Sequence, residues 1–249
     1  MLNRVTDKLG RLIEAHGLRI QDGGTERSRL ISLQPRRYVH QQSERRRVAL
    51  RKTILAESAD LLEASFAVDY MHREAEETLP ELLSTLGVER PILIGHSDGA
   101  SIALIYAGSH IDAVRGLVAL APHVFVEDIS VRNIEEAKVA FETTDMQKKL
   151  ARYHTDARRT FYGWNDIWLH PDFRRWNIEA YLPRIRCPVL AVQGVDDEYG
   201  TMAQIETIAA RVAGPCELVK IEACGHRLHR DQHDATLEVI ARFVAQIAP

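Results

Sequence analysis

The chain is poor in the features that would let a protein do without a large core or leave the aqueous phase. Its three cysteines, Cys187, Cys216 and Cys224, make neither a zinc-ligand spacing nor an even disulfide framework, which points to a reducing compartment. No apolar run reaches the length of about 18 residues that a spanning helix needs, and Met1 to Lys8 has charges but no apolar stretch after them. Neither a membrane partner nor a secretory signal peptide is expected, and the cytoplasm is the expected location. An excess of one charge is missing too. The formal net charge is −3 and the isoelectric point lies near 6.4, so there is no global attraction for nucleic acid or an anionic membrane. Glycine is absent between Gly24 and Gly87.

What is present suits one α/β domain with an insertion: 249 residues, of which 45% are hydrophobic. Apolar residues at helical spacing, Ala75, Leu79, Leu82, Leu83 and Leu86, predict a helix from Tyr70 that stops at Gly87, with Pro80 bending it or shifting its start. Ile92 to Ile94 reads as a strand, Ala100 to Tyr106 as a buried helix, and Gly116 to Ala121 as a parallel strand covered on both faces. From about Val124 to Leu182 the rhythm breaks into charged helical sequence, with Phe161, Tyr162, Trp164, Trp168, Phe173 and Trp176 in its second half. Alternation resumes with the strand Pro188 to Val192, a helix near Met202 to Val212, the strand Glu217 to Ile221 and a last helix from about Asp234 to Ile247.

The chemistry centres on Gly95-His96-Ser97-Asp98-Gly99, between a short apolar strand and a helix-forming segment. This is the pattern of a nucleophile elbow, a strained turn that presents the serine hydroxyl at a strand tip and aims the next backbone N–H groups, Asp98 first, at the same point. With it, the chain resembles the α/β-hydrolase fold, in its branch of small cap-bearing hydrolases and esterases, over about residues 68–249. The resemblance implies a mostly parallel sheet flanked by helices, an inserted helical cap over 124–182, and core halves at 1–123 and 183–249. It also implies a triad in the order serine, acid, histidine. Gly194 to Gly200 is similar to the family's acid loop, where the usual spacing from the glycine selects Asp197 over Asp196, and Ala223-Cys224-Gly225-His226 is similar to its histidine loop. Ser97, Asp197 and His226 are therefore the expected nucleophile, orienting acid and base, and the Asp98 N–H one oxyanion donor, the second being unassigned. His96, Trp164 and Trp168 are candidate substrate-pocket residues. Asp98 is a further side chain that could meet substrate, and His229 an alternative base or pocket residue.

The N-terminal third departs from this pattern. Leu30 to Leu33 can serve as the strand before the oxyanion loop, but Gln34 to Arg47 has no glycine to approach a bound carbonyl, and 34–67 is short for the helix and strand that the family places there. The N-terminal part of the sheet is expected to be incomplete. Three readings stay open for the stretch: a solvated Arg/Gln-rich helix, a surface for an acidic partner or nucleic acid, or a frameshift or deletion in the coding sequence.

The reading that results is a serine hydrolase of a small, partly apolar ester or related acyl compound, with a small-molecule substrate, no nucleic acid, no cofactor and no metal; homo-oligomerisation is left open. The alternatives are hydrolysis of a carbon–carbon bond in a vinylogous diketone, acyl transfer to an acceptor other than water, or an impaired relic without a complete oxyanion hole.

Overall fold

Strands buried at almost every position need cover on both faces, and three consecutive strands of this chain, Ile92–His96, Gly116–Leu120 and Val189–Gly194, are of that kind. The computed structural model describes residues 20–21 and 30–33 through their backbone, together with 67–85, 87–152 and 156–247. Among the described residues the sheet has six strands in chain order: β1 (Ile20–Gln21), β2 (Leu30–Leu33), β3 (Ile92–His96), β4 (Gly116–Leu120), β5 (Val189–Gly194) and β6 (Cys216–Ile221). β1 pairs antiparallel with β2, and every pair from β2 to β6 is parallel. The expected strand Leu30 to Leu33 is thus β2, in register with Leu30 opposite Ile92. The atypical stretch 34–67, all but Ala67, lies outside the described residues, as do Leu86, Tyr153 and His154.

The two-residue period of the strands sorts the core into two layers. Leu93, Leu117, Ala119, Val189 and Ala191 face one side, where α1 (residues 70–85) contributes Met71, Ala75, Leu79 and Leu83, and α2 (Asp98–Ser109) contributes Ala100, Ala103, Leu104 and Ala107. Ile92, Ile94, Val118, Leu120, Leu190 and Val192 face the other, against Leu237, Ile240, Phe243 and Val244 of the last helix, His233–Ile247. α2 begins two residues earlier than its sequence predicts, because the elbow itself starts the helix. α1 runs as Tyr70–Arg73, a π-helical turn Glu74–Thr78, and Leu79–Thr85. Pro80 accounts for the wider turn: it has no N–H to give the Glu76 carbonyl four residues back, so the ladder reaches one residue further.

Between β4 and β5 the chain leaves the sheet for α3 (Asp128–Thr143), α4 (Met146–Leu150), α5 (Ala157–Trp168) and the 3-10 turns Pro171–Arg175 and Glu179–Arg184. The two feet of this helical segment are tied. Phe125 bridges Asn177, and the Ile178 N–H donates to the Val124 carbonyl at 2.8 Å. The Glu127 carboxylate takes hydrogen bonds from Thr201 N–H at 2.8 Å, Thr201 Oγ1 at 2.6 Å and Gln204 Nε2 at 2.7 Å, locking the first foot to the start of α6 (Ala203–Arg211). Among the described residues no helix is long and apolar enough to cross a membrane.

Candidate active site

In a parallel sheet all strands point their carboxyl ends one way, so the loops after β3, β4, β5 and β6 meet at one edge. After β3, Ser97 takes φ 55° and ψ −126°, a conformation that a non-glycine residue holds only when its surroundings enforce it. A Cβ on Gly95 would stand 2.3 Å from the Gly99 carbonyl oxygen and 2.5 Å from the Ala100 Cα, so strand and helix can close on the turn only with glycine there. The Ser97 N–H donates to Leu120 O of β4 at 2.9 Å, which fixes the elbow to the sheet.

After β5 and β6, Gly194 allows a second close approach: its Cβ would lie 2.2 Å from the Cys224 carbonyl oxygen. The acid and histidine loops therefore lie against each other, and the Asp196 N–H donates to Cys224 O at 2.9 Å while the Asp196 side chain is exposed. Asp197 turns inward instead and is 7% exposed. Its Oδ1 stands 2.9 Å and its Oδ2 3.1 Å from His226 Nδ1, and His226 Nε2 stands 3.0 Å from Ser97 Oγ. A carboxylate only accepts, so His226 Nδ1 carries the proton and Nε2 is left to accept from the serine hydroxyl. The Tyr199 N–H at 2.8 Å and Gln193 Nε2 at 3.2 Å complete the shell around Asp197. Burial alone would raise the Asp197 pKa, but the bond to His226, that ring's charge and the Tyr199 N–H outweigh it and hold the carboxyl below its ordinary range.

The structure gives the neighbours of the triad more specific places than the sequence does. His96 donates from Nε2 to the His226 carbonyl at 2.8 Å, so that nitrogen is engaged in holding the histidine loop. Burial first, then repulsion from His226, brings the His96 pKa down to about 3, so this ring is neutral at neutral pH. Asp98 is buried with its Oδ2 accepting from Tyr70 Oη at 2.7 Å, and its N–H opens α2, where the first N–H groups have no partner within the helix. His229 is half-buried, its ring edge-on to His96 with centroids 5.4 Å apart. Trp168 is buried and stands edge-on to His123 at 4.8 Å, whereas Trp164 is half-buried and packs at 6.0 Å from Phe161. Glu198, which reads in sequence as a solvated loop charge, accepts from the His226 N–H through Oε2 at 2.9 Å.

Sequence reasoning passes over His123. It lies three residues past β4 with its ring 5.8 Å from that of His226. The only signal for it is a polar residue three positions after the end of a fully apolar strand. The three cysteine thiols are pushed up to about 11, chiefly by burial, and so are poor nucleophiles at neutral pH. The region where a second oxyanion donor would fall lies within 34–66, outside the described residues.

Comparison with known proteins fits this architecture. A family model described as "Alpha/beta hydrolase family" matches residues 34–239, a span that includes the atypical stretch. No curated protein sequence matches the chain. Among solved structures it is similar to a bacterial membrane phospholipase A, with TM-score 0.63 and 18% identity over 99% of this chain and 91% of that one. It is also similar to an esterase from Exiguobacterium antarcticum (TM-score 0.58, 15% identity, 92% and 95% covered). A thermophilic esterase from Thermogutta terrifontis gives TM-score 0.56 and 18% identity, with 93% and 94% covered. At these identities the likeness is one of fold.

Proposed function

The chain belongs to the alpha/beta hydrolase family, and from that membership we propose that it is a serine hydrolase that cleaves a small, partly apolar carboxylic ester or related acyl compound through an acyl-enzyme. The observation that carries this reading is the unbroken line from Asp197 through both ring nitrogens of His226 to Ser97 Oγ, with hydrogen-bond distances of 2.9 Å and 3.0 Å. A serine hydroxyl is too weak an acid to attack unaided. His226 Nε2 takes its proton as Oγ bonds to the substrate carbonyl carbon. The charge that forms on the carbonyl oxygen falls toward the Asp98 N–H and the positive end of α2. As the bond to the leaving group breaks, His226 returns the proton to the departing oxygen. A water then attacks the acyl carbon, gives a proton to His226, and Ser97 Oγ leaves with that proton. Asp197 holds the tautomer throughout and stabilises the imidazolium.

In the same reading the helical segment 124–182 serves as a cap between core halves 1–123 and 183–249, and its aromatic content supports an apolar pocket. The test is hydrolysis of a short-chain p-nitrophenyl ester panel by folded protein beside its Ser97→Ala variant, with a serine-directed phosphonate as an independent label. Turnover and labelling that both vanish in the variant are the expected result. Turnover that survives Ser97→Ala overturns the assignment.

A further inference from the structure

Two polar groups next to the triad have no part in the acyl-transfer steps. His123 follows the tip of β4, where Ala121 turns through a φ of 44°, and its backbone is fixed by Ser101, whose Oγ donates to His123 O at 2.6 Å and accepts from His123 N–H at 3.1 Å. Its side chain is buried, and among the described residues no atom hydrogen-bonds Nδ1. The adjoining Trp168 indole, edge-on at 4.8 Å, is buried in the same way, and its Nε1–H also has no partner among the described residues. A buried donor left unpaired destabilises a fold, and apolar rings of the same shape would fill the space without that loss. A histidine and a tryptophan side by side, one ring away from the proposed base, are explained if they are paired only when a ligand is present.

The chemistry of the ligand follows from the groups. Trp168 Nε1–H donates only, so the partner atom is an acceptor. Burial, and then repulsion from His226, brings the His123 pKa down to about 3, so the ring meets the ligand as neutral imidazole. The carboxylates of Asp98 and Asp197 lie at the same edge and disfavour an anion. We propose that His123 and Trp168 form a hydrogen-bonding subsite for a neutral oxygen of the substrate other than the reacting carbonyl, so that oxo- or alkoxy-substituted acyl compounds are preferred to plain alkyl esters. This inference rests on the hydrolase reading above and narrows its substrate class.

The test separates the two readings by measuring binding without turnover. Methyl 4-oxopentanoate and methyl pentanoate are titrated by calorimetry into the Ser97→Ala protein. The oxo ester binds roughly tenfold tighter, about the worth of one well-formed hydrogen bond in a dry site. Adding His123→Phe removes the preference, and Trp168→Phe, which keeps an aromatic ring there, reduces it. His123→Gln, which retains a donor, preserves it. Thermal melts of each variant identify any that fail to fold, and the others then decide. Equal binding of the two esters, binding of neither, or a preference that survives both aromatic substitutions overturns the subsite. Turnover that survives Ser97→Ala overturns the hydrolase reading instead, whatever the binding shows.

Discussion

The loops at the carboxyl edge of the sheet and the helical segment between β4 and β5 meet where His123 touches Trp168, yet they are held by opposite kinds of force. The loops depend on short directional bonds and on backbone that tolerates no side chain at Gly95 or Gly194. The segment depends on stacked rings: Phe141 and Phe161 lie 3.9 Å apart with only 2° between their planes, and Phe173 and Trp176 lie 5.5 Å apart at 18°. Directional bonds fail when one atom is changed. Apolar packing degrades in proportion to the volume removed. The loops should therefore lose reactivity without losing the fold, and the segment the reverse.

The sharpest way to break that contrast is Ser97→Ala, which is expected to lower kcat by about 10⁶ with little change in melting temperature. A melting temperature that falls with activity would show that the elbow supports the fold as well as the chemistry. Next comes Asp197→Asn, expected to cost on the order of 10⁴ in kcat, since the amide can hold the wrong tautomer of His226. Asp196→Asn, whose side chain is exposed, should leave the rate near wild type, and the reverse order of the two would overturn the choice of acid.

In the helical segment, Phe161→Ala removes a ring that is 2% exposed and should cost about 3 kcal/mol or more in denaturant unfolding. Its kcat under folding conditions should change far less than in Ser97→Ala or Asp197→Asn. The smallest effect is a pH slope. His123 is neutral in the folded protein down to about 3, while the unfolded chain binds a proton near its ordinary value of 6.5. The unfolded state therefore holds the extra proton between those limits, and stability falls on acidification by roughly 1.4 kcal/mol per pH unit for this one group. Asp197 acts in the same direction, because the stability contributed by its lowered pKa is lost as pH falls through its folded-state value. Unfolding titrations between pH 6 and pH 4 should be flatter for His123→Phe than for wild type; equal slopes would show that His123 is not held neutral.

Most of the frame could be read from residue order because its causes are local. The all-apolar run at Gly116 to Leu120 is typical of a strand covered on both faces, which it is, and the glycines around Ser97 announce a turn too tight for side chains. The choice of Asp197 over Asp196 comes from the family resemblance, and it is the Asp197 carboxylate that faces His226 Nδ1. Glu198 and His123 were not legible in this way. Glu198 has the same sequence character as Asp196, and it becomes a support for His226 only because Gly194 lets two loops, 28 residues apart in the chain, come into contact. His123 belongs to no spaced motif. Its place is set by where β4 ends relative to β6, two strands away in the sheet.

The paired feet of the helical segment have a practical bearing on recombining such proteins. Since Phe125 bridges Asn177 and Glu127 is bound by Thr201 and Gln204, the cut points of a transplant are already joined to each other and to the acceptor. A foreign segment spliced between Asp128 and Trp176 would inherit a closed socket. One spliced a few residues wider would take the Glu127 carboxylate with it and leave the Thr201 N–H and hydroxyl without their acceptor. Chimeras cut inside the clamp should keep the host's rate and acquire the donor's selectivity, while those cut outside it should lose both.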